Sequence, residues 1–214
     1  GHNAGNSITS GHKNSVVGYQ SGTSLSEGSY NVFLGYQAGL NTTLADNNVF
    51  IGNNSGKNTL GDGSFEGINN VFIGRNSGLN NKMGQSNVYI GESVSKSDTS
   101  GRYNVNIGKS AAINIEDAHF NVLIGAQAAE YKTTGSHNVF IGDRVGTYNE
   151  GGKDNVMIGT GAGGSSSITG ETGTADLSQN VIIGTWAAIR GLNDGNVVIG
   201  YSAGRNLTNH VSEG

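Results

Sequence analysis

The sequence predicts an all-β protein, a parallel β-solenoid with short coils, and a repeated phrase at a nearly fixed period supports this fold. The phrase is seen clearly as Asn31-Val32-Phe33-Leu34-Gly35. Eleven copies, of which the first is looser, begin at Asn14, Asn31, Asn48, Asn70, Asn87, Asn104, Asn121, Asn138, Asn155, Asn180 and Asn196. Most steps between copies are 17 residues. A short fixed period is typical of a solenoid, in which each coil buries its apolar side chains by stacking on the next.

The repeat fills nearly the whole chain, so we expect residues 1–214 to form one continuous solenoid domain. The steps that depart most from the period place loop insertions near residues 60–67 and 164–176. The chain does not begin with Met, and Ala4-Gly5 already matches Ala38-Gly39 in the repeat. The sequence is therefore interpreted as a fragment of a longer fibre.

Within each phrase the residue types predict a short strand followed by a turn. Side chains alternate along a strand, so Val at the second position and Ile or Leu at the fourth share one face, which we expect to line the interior of the coil. Gly at the fifth position suits a turn that needs a positive φ or a close backbone approach. Small pairs such as Ala38-Gly39 and Ser55-Gly56 follow two residues later and predict a narrow coil. The polar remainder is typical of return loops.

Asn opens the phrase in all eleven copies, and two structural interpretations remain open. Coils stacked at about 4.8 Å would place the amides above one another in a ladder of side-chain hydrogen bonds. Alternatively, Asn simply tolerates the turn geometry that precedes the strand.

The third position is predicted to point away from the interior, yet it is apolar in nearly every coil. A column of large apolar groups on the outer face would form an exposed patch larger than a soluble monomer usually carries. The simplest cover is the same column on identical subunits around a shared axis, so we predict a homotrimer. The residues predicted to pack at the trimer axis are Phe33, Phe50, Phe72, Tyr89, Leu123, Phe140, Met157, Ile182 and Val198.

Composition narrows the possible partners. The chain has no Cys, which removes disulfides and thiolate metal sites. A net charge of −4 does not favour nucleic acid as a partner, and no apolar run is long enough to insert into a membrane as a helix.

The phrase Asn-Val-x-Ile-Gly, with matching residues such as Val49, Ile51, Gly52 and Ser55, resembles the head repeat of YadA-type trimeric autotransporter adhesins. The fuller phrase Asn31–Gly39, echoed by Gly200–Gly204, is similar to repeats of phage tail-fibre-like proteins and bacterial surface fibres. The resemblance implies a left-handed parallel β-roll in a trimeric fibre used for attachment. The adhesin repeat is shorter and usually has Ala where this chain has Phe, so axis packing must differ.

The insertions and the exposed aromatic residues supply the candidates for ligand binding. Loops that interrupt a solenoid often bind, and exposed rings can stack on sugars. The candidate ligand-binding residues are Phe65, Glu66, Asp176, Trp186 and Tyr201. Tolerated surface decoration is the alternative interpretation of both the loops and the rings.

Other motifs are interpreted as structural, and no catalytic, cofactor-binding or metal-binding residue is assigned. The run Gly159–Gly164 superficially suggests a phosphate loop, but it coincides with one repeat's turn. His119 and His137 fall close to the same repeat phase, so an axial ion site is conceivable. Glu116 and Asp117 are adjacent, which disfavours a glycosidase pair because neighbouring strand residues face opposite ways.

The sequence therefore predicts a non-enzymatic, extracellular fibre domain of a bacterial surface or a virion tail. It would attach to a cell-surface glycan or another envelope component by multivalent binding. A purely structural shaft, a polysaccharide-degrading spike and an ice-binding solenoid are the rivals. The ice-binding solenoid is disfavoured because the residues after the phrase, such as Tyr36, Asn53 and Arg75, form no regular Thr array.

Overall fold

The computed structural model describes residues 1–62, 65–132, 134–164, 177–188 and 194–204. Each phrase forms one three-residue strand. The eleven strands are β1 (Ser15–Val17), β2 (Val32–Leu34), β3 (Val49–Ile51), β4 (Val71–Ile73), β5 (Val88–Ile90), β6 (Val105–Ile107), β7 (Val122–Ile124), β8 (Val139–Ile141), β9 (Val156–Ile158), β10 (Val181–Ile183) and β11 (Val197–Ile199).

The strands form one parallel sheet in sequence order, from β1 to β11. Every pairing aligns equivalent positions of the phrase, as in Val122 opposite Val139 and Leu123 opposite Phe140. Parallel strands with a full chain turn between neighbours make a solenoid, so the predicted all-β, 17-residue coil architecture is confirmed. None of the described residues lies in a helix, and the structure therefore shows no helix there that could span a membrane.

The predicted orientation of the strands is wrong. The third position points into the coil and not away from it. The predicted axis residues Phe33, Phe50, Phe72, Tyr89, Leu123, Phe140, Met157 and Ile182 are all 0% exposed within a single chain, and Val198 packs against the same core. These side chains cannot pack against other subunits. Conversely, the Val and Ile of the second and fourth positions face outwards, as the alternation requires.

The small residues after the turn explain why the large third-position side chain points inwards. Gly39 lies against the Phe33 ring, where a Cβ would be only 2.7 Å from Cε2. The coils of Phe50, Phe72 and Phe140 have the same arrangement with Gly56, Gly78 and Gly146. Where the small residue is Ala, as in Ala112 and Ala129, the third position holds the smaller Asn106 or Leu123. One wall of the coil thus supplies bulk and the other leaves room for it.

The interior also receives one residue from the segment that the sequence assigned to return loops. In the first eight coils, the ninth residue after the third position is buried, as Leu25, Asp98, Ile115 and Lys132 are. The core is therefore a set of stacked layers. The rings of Phe33, Phe50, Phe72 and Tyr89 lie in one stack with centroid separations of 4.9, 5.0 and 4.8 Å.

The predicted turn glycine is required both by its conformation and by its neighbour. At this position φ lies near +130° to +146° throughout, as in Gly125 with +139°. A Cβ on Gly125 would overlap the carbonyl oxygen of Gly142, the equivalent glycine of the next coil. Adjacent coils thus touch backbone to backbone at this corner.

The first insertion leaves and re-enters the coil at nearly one point. A Cβ on Gly67 would lie 2.8 Å from the Gly61 nitrogen, so the two glycines close the neck of the loop. The backbone N–H groups of Phe65 and Glu66 both donate to Asp62 Oδ1 at 3.2 Å. Most of the second insertion, residues 165–176, lies outside the described residues.

We expect Gly125→Ala to lower the free energy of unfolding by at least about 2 kcal/mol, because the methyl group adds a backbone clash to an unfavourable φ. Gly195→Ala is the control: φ is +76° there, but nothing lies within 4 Å of the added Cβ. It should cost only about 1 kcal/mol. Urea unfolding followed by circular dichroism measures both. Equal losses would contradict the backbone contact between coils.

Candidate interaction surface

The outward face of the sheet is the most unusual surface of the molecule. Apart from Ser15, every residue at the second and fourth positions of the eleven phrases is Val, Leu or Ile. We call these two lines of side chains the outer columns. Towards the ends of the sheet Val17, Leu34 and Ile199 are 57%, 45% and 64% exposed on the single chain, whereas from β3 to β10 the outer columns are half-buried apart from the exposed Ile141. The outer columns form an aliphatic strip that runs along the whole sheet.

Two further lines of side chains border this strip. The leading column consists of the residue before each Asn of the phrase, and the trailing column of the residue after each turn glycine. Aromatic rings stack along both. Tyr103, Phe120 and His137 in the leading column have centroids 5.0 Å apart. Tyr19 and Tyr36 in the trailing column are separated by 5.4 Å.

The stacked rings are poorly suited to bind sugars. Tyr103 and Phe120 are parallel within 9°, and so are Phe120 and His137. A sugar ring stacks on the face of an aromatic group, and here each inner face is covered by the neighbouring ring. The stacks therefore present mainly ring edges to solvent, although Tyr103 and Phe120 remain about half exposed.

The Asn residues of the phrase form the hydrogen-bonded ladder that was one of the two sequence interpretations. The Oδ1 atom of each Asn accepts from the backbone N–H of the next Asn along the sheet, in all ten steps. The side chains are buried from Asn31 to Asn180. In a typical step, Asn121 Nδ2 also donates to Asn104 Oδ1 at 3.2 Å and to Gly135 O at 3.1 Å. The ladder fixes the position of each strand along the solenoid and the direction in which the strand runs.

A polar group lies inside the coils and was not anticipated from the sequence. Tyr89 Oη donates to Asp98 Oδ2, while the Gly101 N–H donates to Asp98 Oδ1 at 2.8 Å. Burial raises the pKa of Asp98 to about 6, although the hydrogen bond from Tyr89 opposes that shift. Burial, followed by the nearby Asp98 charge, raises the pKa of Tyr89 well above its usual value. This buried cluster is inaccessible to a ligand.

The candidate binding residues are not brought together by the fold. Phe65 is 76% exposed on the first insertion, next to the half-buried Glu66. Trp186 and Tyr201 lie seven and eight strands further along the sheet than the coil that carries this loop. Asp176 lies outside the described residues. The structure therefore offers separate exposed groups and not one composite pocket.

Trp186 explains part of the glycine run that resembles a phosphate loop. A Cβ on Gly161 would overlap the Trp186 ring, and one on Gly163 would overlap the Met157 sulfur. Gly159 is the turn glycine of its coil, with φ +129°. Packing or backbone conformation therefore explains why each of these three positions is glycine. Trp186 lies partly against the preceding coil, which leaves 38% of it exposed.

The histidines lie in adjacent columns. His119 Nε2 is 3.3 Å from Asp117 Oδ1, and its Nδ1 accepts from the Arg102 N–H at 3.1 Å. His137 instead stacks on Phe120. Across the part of the chain that the structure describes, no three His, Asp or Glu side chains are grouped to hold a metal ion. Glu116 and Asp117 are exposed on one coil.

Comparisons with protein-family models, with curated proteins and with solved structures found no match.

The sequence identified the residues of the aliphatic strip but placed them inside the coil. The pairing of large third-position residues with glycine on the opposite wall was the signal that could have corrected this.

We expect the stability of the protein to fall as pH rises from about 4 to about 7, in part because of Asp98. Its folded pKa of about 6 lies above its unfolded value of 3.8, so the folded state holds this proton more tightly. The resulting stabilisation is complete below the unfolded pKa and is lost as pH rises through the folded pKa, by roughly 3 kcal/mol in all.

Asp98→Asn removes the titrating group and should flatten this part of the pH profile. Denaturant unfolding of wild type and variant between about pH 4 and about pH 7 tests this. The difference in unfolding free energy between the two proteins should shift in favour of the variant as pH rises. A constant difference would contradict the buried, titrating carboxyl group.

Proposed function

We propose that this chain is a segment of an extracellular attachment fibre that assembles as a homotrimer through its aliphatic strip. The observation that carries the proposal is the unbroken aliphatic character of the outer columns, which are exposed towards the ends of the sheet and partly exposed between them. Two side chains wide and eleven strands long, they make a strip roughly 50 Å in length. Apolar patches of this extent on soluble proteins usually mark an interface.

Identical copies are the best cover for the strip because it is as regular as the repeat itself. A second copy presents aliphatic side chains at the same spacing, so each layer of one chain can pack on a layer of another. A narrow strip suits the lining of a threefold axis, where three strand faces meet. The resemblance to trimeric adhesin heads, including their left-handed coil, supports the same arrangement.

The assembly proposed here uses a different surface from the one expected from the sequence. Val122 and Ile124 would face the axis, while Leu123 between them fills its own coil. Partly exposed side chains such as Val122 and Ile124 gain by further burial at roughly 25 cal/mol per Å² of apolar area, before the cost of association.

Attachment to a surface glycan or another envelope component is the proposed role of the fibre, without catalysis. Three copies would present Phe65 and Trp186 three times, and multivalency strengthens weak individual contacts. A purely structural shaft is the alternative, and the edge-on ring stacks favour it over a sugar platform along the whole rod. Depolymerisation of capsule or lipopolysaccharide by the chain would overturn the non-enzymatic role.

We expect Ile107→Glu to dissociate the assembly, because it places a carboxylate in an apolar face and repeats it at one height around the axis. Ser97→Glu is the matched control on another wall of the same region of the solenoid. Sedimentation velocity should show a smaller particle only for Ile107→Glu, and circular dichroism should confirm that both variants keep the fold. An unchanged sedimentation coefficient for Ile107→Glu would contradict this interface.

We expect the wild-type chain to bind on an array of bacterial surface glycans, and Phe65→Ala or Trp186→Ala to weaken that binding by tenfold or more through lost avidity. Tyr131→Ala, which changes an exposed ring of a stack, serves as control. Loss of binding in the candidate variants alone supports attachment through these groups. Absence of binding by the wild-type chain would favour the structural shaft.

A further inference from the structure

The leading and trailing columns border the aliphatic strip along its two sides. The leading column contains Lys13, Tyr30, Asn47, Asn69, Ser86, Tyr103, Phe120, His137, Asp154, Gln179 and Gly195. The trailing column contains Tyr19, Tyr36, Asn53, Arg75, Glu92, Lys109, Ala126, Asp143, Thr160, Thr185 and Tyr201. We number the residues of each column from 1 to 11 in chain order and call this number the rank. Two residues of equal rank, one from each column, flank the same strand and therefore lie at nearly the same height along the solenoid.

Cyclic symmetry determines which of these columns can meet. If copies are related by rotation about an axis parallel to the solenoid, there is no shift along that axis. The strands then follow one another head to tail around the axis. The leading column of one copy therefore comes next to the trailing column of its neighbour, and residues of equal rank face each other.

We propose that these two columns form the seam between neighbouring copies, paired rank by rank. This inference rests on the assembly proposed above and adds its register and its polar contacts. Each bordering column is thus covered by the other bordering column of a second copy of this chain.

Charge complementarity supports the seam. His137 of one copy faces Asp143 of the next, which permits an ion pair when the imidazole is protonated. Tyr103 faces Lys109, and an ammonium group beside an aromatic ring is attractive. None of the eleven rank-matched pairs brings like charges together.

Side-chain volumes are complementary as well. Phe120, the central ring of the leading stack, faces Ala126, which leaves room for it. Tyr201, the largest residue near the other end of the trailing column, faces Gly195. These pairings would cover exposed surface, since Phe120 is 50% and Tyr201 80% exposed on the single chain.

A shift of one coil in either direction is less favourable. In one direction Asp154 would face Asp143, which places two carboxylates together. In the other direction Phe120 would face Asp143, and an apolar ring would desolvate a carboxylate. The unshifted register avoids both contacts, so the sequence of the two edges selects it.

A disulfide between Phe120→Cys and Ala126→Cys tests the seam. The chain has no native cysteine, so any link comes from the introduced pair. Within one chain the two positions are six residues apart along an extended segment, roughly 15–20 Å, beyond the reach of a disulfide. Mild oxidation should therefore join neighbouring copies, and denaturing gels without reductant should show a closed covalent trimer.

Two controls define the register. Phe120→Cys combined with Asp143→Cys is one coil out of step and should link at least tenfold less. The polar pair Asp154→Cys and Thr160→Cys is in register, with Asp154 exposed and Thr160 partly exposed, so it repeats the test without removing a stacked ring. Circular dichroism confirms the fold of each variant.

The outcomes separate the seam from the assembly on which it rests. A chain that is trimeric by light scattering but gives no link in either in-register pair overturns the seam alone. Equal linking of the out-of-step pair overturns the register. A covalent dimer as the final product overturns the threefold arrangement, and a monomeric chain overturns both the seam and the proposed assembly.

Discussion

The structure depends on a single constraint: each coil keeps a fixed spacing from the coil before it and runs its strand in the same direction. Two contacts to the backbone of the neighbouring coil impose this constraint. The Asn ladder ties the start of each strand to the next, through bonds such as that from the Asn121 N–H to Asn104 Oδ1 at 3.0 Å. At the other end of the strand the turn glycines touch across coils, as Gly125 does with Gly142. Between these two fixed points the three-residue strand has no freedom to slip or rotate.

This constraint turns single residues into columns, with different consequences inside and outside the coil. Inside, equivalent rings stack, and two of the polar exceptions have clear partners: Asn106 Nδ2 donates to Ser95 Oγ at 2.7 Å, and Lys132 Nζ donates to Gly152 O at 2.9 Å. Outside, the same repetition makes an aliphatic strip, because Val and Ile recur at the second and fourth positions. The interior accounts for stability of one chain, whereas the strip is the basis of the proposed assembly.

Much of the architecture could be predicted from the sequence, since the period and the turn glycine follow from local residue types, and the Asn ladder was one of two interpretations of the recurring Asn. The direction of the strand could not be read from alternation, because Val122, Leu123 and Ile124 are all apolar and either face could be the inner one. Only long-range packing decides, by setting Phe33 against Gly39 and Phe50 against Gly56. The interior position of Asp98 was missed for a related reason, since its segment has the composition of a loop. The candidate ligand residues were identified by exposure alone, and the fold separates Phe65 from Trp186 and Tyr201 along the rod.

The mass of the wild-type chain in solution tests the central claim most directly. Multi-angle light scattering on the purified protein, followed to low concentration, reports whether the aliphatic strip is covered by copies of the chain. We expect three times the chain mass of 22.0 kDa, persisting on dilution because the interface runs the length of the solenoid. A stable particle of one chain mass, with the strip open to water, would contradict the account.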